Sequence, residues 1–261
     1  MLGKLLKYDL KKNMRWLWIL FVSPLVLAGA SRGFAELGKN IAFFKVVGIF
    51  FDSVFYALLA NVLIHPFLRS FLNFTKSIYG DESYLTHTLP VTKSQIINSK
   101  FITAFVEMVL GFVSIVLSLL IRFASPAFFK TLKLLLSTLI VGNISLFAVL
   151  SLVVVLILVE FLMYIAIIFF SIIVAYRAKD KKALKAFLLT ALMAFIAITV
   201  LAIIMAIVLL INGIELSAAT LTFSAKMFNC MVLTGIIVYS LVIVLFYFLA
   251  KREFNKGVNV D

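Results

Sequence analysis

The sequence predicts an all-α integral membrane protein. It reads as a single bundle of six transmembrane helices over residues 1–261, with an N-terminal amphipathic helix at the membrane interface, a short cytoplasmic helix between the second and third spans, and both termini cytoplasmic. Three observations carry this. First, 64% of the residues are hydrophobic and 13% charged, with a mean hydropathy of +1.20, whereas a soluble domain is about half apolar and a quarter charged. Second, apolar runs of spanning length recur along the chain. Third, the cations sit in short clusters between those runs, which is how membrane orientation is encoded. Such a composition excludes a soluble enzyme, a disordered chain and a secreted disulfide scaffold. The single Cys230 offers neither an intrachain disulfide nor a metal pair.

The chain opens on a basic amphipathic helix, Met1–Arg15. Leu2, Leu6, Leu10 and Met14 repeat every four residues, and Lys4, Lys7, Lys11, Lys12 and Arg15 fill the other face. A helix of this kind lies in the cytoplasmic interface, its apolar side in the acyl boundary and its basic side on anionic headgroups. The first span, Trp16–Ala30, lacks a small-residue cleavage site and is followed by more spans, so it is not a signal peptide. Pro24 inside it is tolerated in a membrane helix. Gly33–Asn40 reads G-x-x-x-x-G-K-N, but Asn stands where a phosphate loop needs Ser or Thr for magnesium, and no strand precedes it. Further spans are Val46–Leu68, Phe101–Ile121, Ala186–Ile211 and Met227–Ala250.

The stretch Leu134–Tyr176 is ambiguous. Its 43 residues carry one charge, Glu160, and as one helix it would be ~64 Å long, about twice the hydrocarbon core. Charge parity decides. With one crossing near Leu150–Ala175, 17 of the 24 cations fall on the side of the N-terminus; two crossings leave 10 there and 14 opposite. The positive-inside rule selects six spans. Ser125-Pro126 then reads as the N-cap and first residue of an outer-face helix, within a segment 126–145 that is outer-face or re-entrant. Gly142-Asn143 is the expected break before the fourth span.

The longest polar stretch, Arg69–Lys100, is 32 residues, shorter than the ~40 at which domains usually need external staples. The second helix is expected to run through Pro66 to about Tyr79, with Gly80 as its C-cap. Asp81 caps a short helix, Glu82–Thr88, and Pro90 stops it. Thr92-Lys93-Ser94-Gln95 has capping-box spacing and starts the third helix before it enters the membrane. A short helix held at both ends by membrane helices suits the transmission of force from a cytoplasmic protein. An ordinary polar loop is the alternative.

The string Tyr79-Gly80-Asp81-Glu82-Ser83-Tyr84-Leu85-Thr86-His87-Thr88-Leu89-Pro90-Val91, followed by Ser99-Lys100, resembles the G-D-E-x-Y-L-T-x-T-L-P-V signature of bacterial ABC transporter permease subunits of the type-2 exporter class. The opening Leu2–Leu10 is similar to the start of the same permeases. The resemblance implies a multi-pass protein of the bacterial cell membrane, a dimer of such subunits (identical or paired with a sister), and separate ATPase subunits that hold ATP and magnesium. By position it makes Asp81, Glu82, Ser83, Tyr84, Leu85, Thr86 and His87 the coupling helix that contacts the ATPase, and Met1–Arg15 the interfacial helix. The chain departs from many members between spans five and six, where Asn212–Lys226 is only 15 residues.

Three acids lie within spans. Asp52 and Glu107 sit ~10 Å from the outer and inner ends at 1.5 Å per residue and could reach an interface by snorkelling. Glu160 is near the midplane, so it should be protonated, paired or facing a wet cavity. All three are candidates for the translocation path. His65 and His87 have no ligand partner at i+4, so no metal is expected. The net charge of +13 shows no basic face with interleaved aromatics outside the apolar runs, which argues against nucleic acid. No nucleophile–base–acid arrangement suggests catalysis. The expected activity is that of an exporter permease without an ATPase site of its own, moving an amphipathic cargo such as a lipid-like molecule or an antimicrobial peptide. The alternatives are a gradient-driven transporter using the intramembrane acids, and a non-transporting anchor or sensor in a resistance module.

Overall fold

A computed structural model describes residues 2–80, 82–88, 90–137, 146–178, 180–213 and 225–256. Every regular element among them is an α-helix: α1 (Leu2–Leu37), α2 (Ala42–Ile78), α3 (Ser83–Thr88), α4 (Lys93–Phe123), α5 (Pro126–Ser137), α6 (Leu146–Ala175), α7 (Lys182–Ile211) and α8 (Ala225–Asn255). Six segments are long and apolar enough to cross a membrane: Leu17–Leu37, Ala42–Ile78, Lys93–Phe123, Ala148–Ala175, Lys182–Ile211 and Lys226–Asn255. The ambiguous apolar stretch contributes one of these six. Ahead of it, the described part of α5 is 12 residues, ~18 Å, shorter than a spanning helix.

The local signals act as their chemistry requires. Both Pro24 and Pro66 lie inside continuous helices. Thr92 forms a full capping box: its side chain accepts from Gln95 N at 3.3 Å, and Gln95 Oε1 accepts from Thr92 N at 3.2 Å. Ser125 Oγ accepts from Phe128 N at 3.1 Å and starts α5 at Pro126. Gly142-Asn143 and the proposed cap Asp81 lie outside the described residues. The stretch Met1–Arg15 is not a separate helix. α1 runs unbroken through it into the first span, because no Gly or Pro falls between Lys4 and Ser23 to end it.

The chain divides into two units. The first comprises Met1–Phe74 and Thr88–Phe129. Here α1 packs along α4, whose buried face carries Gly111, Ser114 and Ser118. Small residues let helices approach closely in lipid. A Cβ on Gly111 would lie 3.5 Å from the Val62 carbonyl oxygen of α2, and Ser114 Oγ donates to the Phe21 carbonyl at 2.5 Å. Leu17, Phe21 and Val62 form the apolar centre of the three helices. The G-x-x-x-x-G-K string is the end of α1 and a tight turn. There Gly38 passes so close to α2 that a Cβ would lie 2.9 Å from Lys45 Cα, which accounts for the glycine without any phosphate.

The second unit comprises Thr75–His87 and Lys130–Asp261. α6 packs on both α7 and α8, around Met163, Ile167, Ala197, Leu201, Val238 and Tyr239. From Met163 to Ala175 most of α6 is buried on every face, as expected of a helix with no polar stripe.

Candidate functional site: the segment between α2 and α4

α2 ends at Ile78, one residue short of the expected Tyr79. The N–H groups of Tyr79 and Gly80 both donate to the Thr75 carbonyl, at 2.9 and 3.1 Å. Gly80 does not adopt a positive φ. Its small size matters for another reason: a Cβ would lie 3.1 Å from Lys76 Cα and carbonyl oxygen. Ser83 N then donates to Gly80 O at 2.9 Å, and α3 begins. Ser83 is buried, Glu82 is partly buried and Tyr84 is 77% exposed. So α3 presents an aromatic knob on its open side. The side chains of Leu85, Thr86 and His87 lie outside the described ones.

The segment is fastened within the second unit by Tyr79. Its ring packs against Tyr176, just past α6, with centroids 4.5 Å apart and planes at 32°. Burial pushes the Tyr79 phenol above the ordinary tyrosine range, while the nearby Arg177 guanidinium pulls the other way. A raised phenol stabilises the fold below about pH 10, where unfolded tyrosine is still neutral, and that contribution is lost as pH rises further. Unfolding midpoints are therefore expected to fall above about pH 10, with Tyr79→Phe removing part of the drop; an alkaline denaturation series checks it.

In the first unit the helices on either side of this segment are clasped to α1. Lys100 Nζ and Ser99 Oγ, near the start of α4, both donate to the buried Asp9 carboxylate, each at 2.7 Å. One turn on, Asn13 joins three helices. Its Nδ2 donates to Glu107 Oε1 of α4 at 2.5 Å, its Oδ1 accepts from Asn73 of α2 at 3.1 Å, and its backbone carbonyl accepts from Arg69 at 3.0 Å. Lys4, Lys7, Lys11, Lys12 and Arg15 are exposed on the opposite faces of α1. Sequence reasoning missed this clasp because it treated the polar side of α1 as uniformly basic. The available signal was the i, i+4 pair Asp9 and Asn13 among the lysines.

The three intramembrane acids have different settings. Glu107 is 1% exposed and held by Asn13; its Oε2 has no partner among the described residues. Asp52 receives a two-point bond from Arg122 at 2.9 and 3.0 Å and another hydrogen bond from Ser31. Arg32 donates to the Ile121 and Ala124 carbonyls at 2.9 and 2.8 Å and closes the same end of α4. Each of these two acids is matched by a neighbouring helix. Glu160 is half-buried on α6, near Tyr164 and Tyr239. Among the described residues no group of three His, Cys, Asp or Glu is placed to hold a metal.

No family model, no curated protein and no solved structure matches this chain.

Proposed function

We propose that the chain is the membrane-spanning permease subunit of an ATP-driven exporter in a bacterial cell membrane. Two six-helix subunits enclose a path between them. Separate ATPases, which carry ATP and magnesium, close on nucleotide and push α3, switching the path from inward- to outward-facing. The observation that carries the reading is the short helix Ser83–Thr88, joined at both ends to long apolar helices, with Tyr84 turned outward and the signature string running through it. The apolar, Phe-rich spans favour an amphipathic cargo, lipid-like or a membrane-active peptide. Asp52 and Glu107 are committed to neighbouring helices, which leaves Glu160 as the acid best placed to line a path.

The test is purification from the native membrane. A nucleotide-binding protein is expected to accompany the wild-type chain and to be lost from the Tyr84→Ala plus Leu85→Ala variant, whose helix content and membrane insertion are measured beside wild type. A wild-type chain that arrives alone and still moves cargo contradicts the proposal.

A further inference from the structure

If α3 is gripped by an ATPase, the contacts behind it decide which helices the grip moves. Residues Thr75–His87 group with α6–α8, although α2 and α4, which flank them in sequence, group mainly with α1. The Tyr79–Tyr176 ring pair is one contact behind this grouping. Next to Tyr176, Arg177 donates from Nη1 to the Glu253 carboxylate of α8 and from Nη2 to the Glu253 carbonyl at 2.7 Å. Lys256 holds the other carboxylate oxygen at 2.6 Å. The ends of α6 and α8 are thus tied by charge-assisted bonds, and Tyr79 sits against that tie, three residues after Lys76 in the last turn of α2 and four before α3. Aromatic pairs at this separation favour particular relative orientations of the two rings. A partly buried ring that leaves such a partner loses both the contact and its orientation.

We propose that Tyr79 is the positioning residue through which movement of α3 reaches α6 and α8: the segment from Tyr79 to His87 and the C-terminal ends of those two helices move as one body. The inference rests on the exporter reading. It assigns the ATPase stroke to the α6–α8 unit.

Hydrogen–deuterium exchange of the assembled complex, with and without vanadate trapping of ATP on the partner, reads this without knowledge of the cargo. Wild type and Tyr79→Phe are expected to change exchange at the ends of α6 and α8 at least threefold on trapping. Tyr79→Ala is expected to trap nucleotide normally and lose that change. In a Cys230→Ser background, Tyr79→Cys with Tyr176→Cys is expected to behave like Tyr79→Ala until a short bifunctional thiol reagent joins the two positions, which restores the response. An undiminished response in Tyr79→Ala, or no restoration on cross-linking, overturns this inference and leaves the exporter reading intact. A wild-type chain that captures no ATPase overturns both.

Discussion

Replacing Asn13 by Leu is expected to loosen the first unit more than any other single polar change. The substitution removes the donor to Glu107 and the acceptor for Asn73 together, in a site where Glu107 is 1% exposed. A buried polar group left without its partner costs about 1–3 kcal/mol, and here two groups lose one each. The expected loss is about 2–3 kcal/mol. Interhelical hydrogen bonds in lipid are often weaker, because helices separated in the membrane find other partners. This site differs in that three helices depend on one amide. Asn13→Leu combined with Glu107→Leu should recover much of the loss, since removing both partners leaves no orphaned carboxyl. Unfolding of the purified chain in detergent, followed through helix signal, measures both. If the single variant unfolds like wild type, Asn13 is not the clasp.

The second large effect is expected at the other end of the same helices. Arg122→Leu removes the two-point bond to Asp52 and leaves that acid with Ser31. The side chains are 18% and 28% exposed, so solvent screens part of the interaction and the expected loss is about 2 kcal/mol. Arg122→Lys should recover less than half of it, because an ammonium keeps the charge but not the fork geometry. Asn13 and Ser31 are 18 residues apart on α1, ~27 Å along the axis, so the Asn13 and Arg122 losses should add. A combined variant measured beside the two singles checks the sum.

Much of this architecture was legible in the chain. Uninterrupted apolar length was enough to expect six helices of spanning length, one of them (Ala148–Ala175) within the ambiguous stretch, because length and composition are properties of long segments that neighbours cannot override. The capping box at Thr92 and the cap at Ser125 were legible because they depend on three or four consecutive residues. The clasps were not. Asp9 with Lys100, Asn13 with Glu107 and Asp52 with Arg122 join residues 70 to 94 positions apart, and local spacing carries no information about which helices meet. For the same reason the partners that packing gives Asp52 and Glu107 were not legible. Tyr79 stood within the signature string, but its stack on Tyr176 depends on where α6 ends.

In the exporter reading proposed above, α3 projects into the cytosol and is held there by an ATPase. The most direct measurement is thiol labelling of Tyr84→Cys in a Cys230→Ser background, using a membrane-impermeant reagent on intact cells and on inverted membrane vesicles. No labelling is expected in cells, labelling is expected in vesicles, and protection is expected when the nucleotide-binding partner is bound. Labelling of position 84 from outside intact cells would contradict that reading.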